Sequence, residues 1–146
     1  MPVPQGNADL VQGLVRDKLD AALPDDWLVY ARRDFIILPA DEFPACYAVN
    51  LPEVILEEET DNQVLVGYRI GVGMLTKLAA ITAEFEPLDT LRRTAQQAVH
   101  STSYTGLVVE QVLLTDALDL PLPDVQDGYL STGFIVTIGL LELREV

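Results

Sequence analysis

Cysteine and histidine each occur once in this chain of 146 residues, as Cys46 and His100, and basic residues are scarce, with nine Lys and Arg against 23 Asp and Glu. One cysteine excludes an intramolecular disulfide and a zinc site built on thiolates, which suits a reducing cytosol. Cys46 reads as a small core residue. One histidine allows a single catalytic triad at most, and no Ser or Cys lies in a nucleophile-elbow pattern. His100 falls at a helix end, where a cation meets exposed carbonyls, and is expected to be structural. Long apolar runs are also missing: nothing approaches about 18 uninterrupted residues, so no membrane span is expected. The opening MPVPQGNADL has no basic start followed by an apolar stretch, unlike a secretory signal.

The shortage of cations excludes most. Only Arg32-Arg33 and Arg92-Arg93 are adjacent basic pairs in a chain of net charge −14. Gripping phosphates needs clustered Lys and Arg, so nucleic acid is not expected as a bound ligand. An acidic surface lets DNA pass without sticking, and equally well keeps a monomer soluble. Gly67, Gly71 and Gly73 have neither the spacing of a phosphate loop nor a following Lys-Ser/Thr pair.

What is present is a core. Apolar residues make up 49% of the chain, enough for one ordinary domain. Residues 1–6, with two prolines and a glycine, read as a loose arm. Asn7 is placed to cap a helix from Ala8 to about Leu23, whose Leu10, Val11, Leu14, Val15, Leu19 and Ala22 share one face. Trp27–Arg32 reads as a strand, which Phe35–Leu38 extends unless Pro39 stops it. The stretch DEFPACYAVNL, Asp41 to Leu51, places Pro44 at the mouth of a strand, ACYAVNL. EVILEEE and VLVGYRIGVGML then flank a turn, TDNQ. In the second arm Val64, Val66, Tyr68, Ile70 and Val72 share a face, with the three glycines opposite. Those glycines predict a bend or a close approach by another backbone.

Residues 76–86 fit a helical turn or a loop. A helix runs from Pro87 to about His100, with Leu88, Leu91, Ala95, Ala98 and Val99 inward. GLVVEQVLLTD is a strand, Leu120–Gly128 a loop, and Tyr129–Arg144 a long last strand. Consecutive strands without helix–strand alternation predict an α+β fold, a mainly antiparallel sheet packed by two helices on one face, in a single domain.

Two acidic groups are candidate metal sites. Strand alternation lets Glu57, Glu59 and Asp61 converge, but not Glu58. Asp116, Asp119, Asp124 and Asp127 surround the proline-bearing loop. Neither group has calcium-loop spacing with its central glycine, so solvated acidic loops are the expectation, with no cofactor and no bound metal. A small acidic metal-binding module or metal enzyme is the competing class.

In order along nearly the whole chain come the amphipathic helix ADLVQGLVRDKLDAAL and a short strand. Phe43-Pro44-Ala45 leads into CYAVNL, followed by the acid-rich turn EEETDNQ, the strand VLVGYRIGVGML, the helix PLDTLRRTAQQAVH and the closing GFIVTIGLLEL. This succession resembles the tail terminator family of long-tailed bacteriophages, the lambda-type minor tail proteins. The resemblance implies a virion protein of the tail or neck, assembled in the host cytoplasm and without a catalytic site. It implies a ring, usually of six subunits, that caps the tail-tube protein and halts its polymerisation. The other side of that ring receives head-completion or connector proteins, and DNA passes through the lumen without specific binding. Glu57, Glu58, Glu59, Asp61, Asp124 and Asp127 are the residues expected at the lumen or at contacts between rings. Another neck or connector protein, or the tube protein itself, is the neighbouring alternative.

Overall fold

The computed structural model describes residues 6–60, 62–77, 85–116 and 120–143, and no side chain at 59, 60 or 85–87. The elements in chain order are α1 (Ala8–Ala22), β1 (Leu28–Arg32), β2 (Ala45–Asn50), β3 (Val54–Thr60), β4 (Gln63–Lys77), α2 (Phe85–Val99), β5 (Val109–Asp116) and β6 (Tyr129–Leu143). The strands form one sheet in the order β1-β2-β4-β6-β5, with β3 also paired to β4. Its spine is the antiparallel pair β4–β6, each 15 residues long and in unbroken register from Gln63 opposite Leu143 to Lys77 opposite Tyr129. β2 and β3 follow one another along the other side of β4, on Ile70–Leu75 and Gln63–Gly67 respectively. The fold is α+β, as the order of elements predicts.

Alternation along the strands makes two faces. On one, Cys46 and Ala48 of β2, Val64 to Met74 of β4 at every second position, and Phe134, Val136, Ile138 and Leu140 of β6 form the main core. Helix α1 closes it with Val11, Val15 and Leu19, and α2 with Leu88, Ala95 and Val99. The 3.6-residue spacing of both helices therefore reports this face. Leu10 departs from that stripe: it is half exposed, one position off the buried line through Val11.

The second face is also covered, by loops. Ala45, Tyr47, Val49 and Leu75 form a smaller core beneath Tyr30, Phe35, Ile37, Phe43, Leu122 and Tyr129. The glycines make this possible. Gly73 lies opposite Gly133 across the spine, and a Cβ added at Gly73 would sit 2.5 Å from Leu122 Cδ2. One added at Gly133 would meet the Val72 carbonyl oxygen at 2.6 Å. At Gly71 and Gly73 the close approach is made by Phe35, Leu120 and Leu122 side chains laid directly on the sheet, instead of the expected second backbone.

Three local expectations change. β1 runs parallel to β2, and the 33–44 segment that joins them packs as a loop, so Phe35–Leu38 does not extend β1. The Asn7 side chain does not cap α1; it turns instead to Glu142 at the far end of β6. Helix α2 begins at Phe85, two residues ahead of Pro87, while 78–84 lie outside the described residues, as do 1–5 of the arm.

Candidate functional site

The acidic residues expected to do the work fall in two places. Glu57 and Glu58 are exposed on β3, opposite Leu65 and Val64 of β4. The register of β3 shifts between Ile55 and Glu57 and again between Glu58 and Thr60, so strict alternation does not govern which of these acids share a face. The Glu59 side chain, Asp61 and Asp119 lie outside what is described. Asp124 and Asp127 bracket a 3₁₀ turn, Val125–Asp127, and are occupied in holding it. Asp124 accepts from the Gln126 and Asp127 backbone N–H groups, and Asp127 accepts from that of Asp124 at 3.3 Å. The spacing DVQD is that of a capping box, a signal present in the sequence. Among the described residues no three His, Cys, Asp or Glu are grouped to hold a metal ion.

Both basic pairs are partly spent on ion pairs. Asp89 holds Arg92 at 2.6 Å and Arg93 at 3.1 Å along α2. Arg32 meets Asp41 at 2.5 Å, and its guanidinium lies 4.7 Å from the Tyr30 ring centroid. Asp41 also accepts from the Leu38 N–H and the Tyr47 hydroxyl, each at 2.8 Å, and its side chain is only 3% exposed. Burial alone would raise the Asp41 carboxyl, but the bond from Arg32 and those from Leu38 and Tyr47 hold it below the ordinary carboxylate range. With Tyr30 stacked on Tyr47 at 5.4 Å, this cluster fastens the 33–44 loop to the second face.

A second polar cluster is buried at the opposite end of the sheet. Glu142, 2% exposed, accepts from the Tyr68 hydroxyl and from Asn7 Nδ2 at 3.0 Å. The Asn7 N–H in turn donates to the Tyr68 oxygen at 3.3 Å. Burial, then the bond to Glu142, pushes the Tyr68 hydroxyl up to about 12. Burial likewise pushes the Cys46 thiol up to about 12, so it stays an unreactive core group, as expected.

Most exposed apolar side chains lie toward the ends of the β4–β6 spine or on the loops over its second face, apart from Leu10 on α1 and Leu113 in the middle of β5. At the hairpin end lie Val54 and Ile55 of β3, Val108 just before β5, and Leu143, alongside Glu57 and Glu58. The other end carries Leu28, and the loops covering that half of the sheet expose Ile36, Leu38 and Val125. Nothing in the sequence singled these out, because the hydrophobic pattern of a strand does not say which of its ends is left bare.

No protein-family model and no curated protein matches the chain. Among solved structures it is similar to a chain from the virion of a native gene transfer agent particle, at 11% sequence identity and a TM-score of 0.48, over 92% of this chain and 95% of that one.

Proposed function

We infer that this protein is a structural subunit of a phage-like particle that works through its surfaces, as a ring of the tail-terminator type joining tail tube to head-completion proteins. The observation that carries the reading is the long double-strand spine with separate sets of bare apolar residues around it. One end combines Val54, Ile55, Val108 and Leu143 with Glu57 and Glu58; the loops over the second face present Ile36, Leu38 and Val125. A terminator needs two unlike faces, one for the tube and one for the connector, and copies joined head to tail around an axis supply them. The net charge of −14 suits a lumen through which DNA slides. The succession of elements from α1 to β6 is the one on which the family resemblance rests.

Electron microscopy and sedimentation of the concentrated protein test this. Discrete closed rings are expected. Unbroken tubes would assign the chain to the tube itself, and a monomer at every concentration and salt level would remove the ring. Replacing Glu57, Glu58 and Glu59 together by Lys is expected to impair DNA passage or tube capping. Unchanged particle assembly and infectivity would dismiss the lumen role of those acids.

A further inference from the structure

An unpaired strand edge offers a row of backbone donors and acceptors to any extended chain, and folded proteins usually blunt such edges. Among the described residues the sheet has three. At β1, Arg16 Nε from α1 donates to the Val29 carbonyl at 3.3 Å, so the helix reaches over that strand. β3 is broken by two register shifts and carries Glu57 and Glu58. β5 differs. After one shift between Val109 and Gln111 it runs in regular register from Gln111 to Asp116 against β6, its one strand partner among the described residues. That stretch holds no Pro and no Lys, and Leu113 at its centre is 44% exposed. Val112 and Leu114 extend the main core to this margin and are only half covered.

We propose that the β5 edge, Gln111–Asp116, is a docking site for an extended segment of another protein, added as a further strand. The segment has apolar residues at its centre and Lys or Arg at its flanks. A strand laid there covers Val112 and Leu114 on the helix side and Leu113 on the opposite side, while its main chain completes the ladder. Charge selects the occupant. Glu110 and Asp116 are exposed at the two ends of the stretch, so the matching segment is cationic where it passes them. A second copy brings acidic edges at β5 (Glu110 and Asp116) and β3 (Glu57 and Glu58), and at its β1 edge Arg16 reaches over Val29 while Arg32 is already paired with Asp41, all on a body of charge −14.

The probe is a short fluorescent peptide of alternating Val and Thr between Lys pairs, titrated by polarisation into the full-length protein. Its companions are the same core between Glu pairs and a Lys-flanked version with a central Pro. Saturable binding of the first alone is expected, weakened about tenfold or more by Leu113→Lys and by the pair Glu110→Gln with Asp116→Asn. Amide exchange in Gln111–Asp116 slows on binding. A thermal melt of each variant verifies folding, and the Glu110/Asp116 pair is exposed enough to leave the fold intact if Leu113→Lys does not. Equal binding of the proline-bearing peptide, which shows general charge attraction, overturns the proposal. So does protection elsewhere, the absence of binding, or protection of β5 by self-association without peptide.

Discussion

Glycine-to-alanine substitutions at three positions contrast the close packing of the second face with open space on α1. At Gly133 a methyl group meets the Val72 carbonyl oxygen at 2.6 Å, and Val72 is held in the β4–β6 ladder, so neither atom retreats without disturbing the spine. Overpacking of this kind costs about 1–3 kcal/mol. The stiffer unfolded chain returns about 0.4–1 kcal/mol. With an unyielding backbone neighbour the net loss for Gly133→Ala falls in the upper part, about 2 kcal/mol. At Gly73 the obstacle is Leu122 Cδ2 at 2.5 Å, the free end of a loop side chain that is able to swing. Gly73→Ala should cost about 1 kcal/mol and loosen the covering loop first. Gly13, in the interior of α1, has nothing within 4 Å of an added Cβ, and Gly13→Ala should stabilise by about 0.5–1 kcal/mol through helix propensity. Urea titrations followed by circular dichroism measure all three, with unchanged slopes confirming a common unfolding reaction. If Gly133→Ala were as stable as the parent protein, the packing of the second face described above would be incorrect.

Other substitutions probe the polar clusters and the charge. Tyr68→Phe leaves the buried Glu142 without its hydroxyl donor and should lower stability by about 1.5–3 kcal/mol, whereas Glu142→Gln, which still accepts from Tyr68, should cost less; equal losses would argue against the hydrogen bond as the cause. Because the folded Asp41 carboxyl is depressed, its contribution is present above the unfolded value near pH 4 and disappears as pH falls through the folded one. The stability gap between the parent and Asp41→Asn should therefore be full at neutral pH and close below about pH 4, as read from urea midpoints across pH. Subunits of charge −14 repel one another, so ring formation should strengthen between low and moderate salt, and sedimentation showing the reverse would place attractive ion pairs at the contact.

Sequence periodicity revealed what is periodic. Val11, Val15 and Leu19 face the core because a helix returns every 3.6 residues, and the glycines of β4 share a face because a strand alternates. The parallel pairing of β1 with β2 was not legible, since residues 33–44 form neither a crossover helix nor a hairpin turn and commit to no direction. Nothing in the stretch LLELREV marks Glu142 as buried; only the β4–β6 register brings it beneath Asn7 and Tyr68. The pairing of Asp124 with Asp127 is legible in the spacing DVQD, which is that of a capping box. The bare ends of the spine and the unblunted β5 edge emerge only when neighbours are known.

The bond from Asn7 to Glu142 has a practical corollary: positions 7 and 142 of the polypeptide stand side by side, on the same end of the sheet as Val54 and Ile55. A fluorophore attached near either position samples the same neighbourhood, and a short peptide bridging them opens a route to circular permutants. New termini cut into the loop near Val125 would leave the β4–β6 spine unsevered.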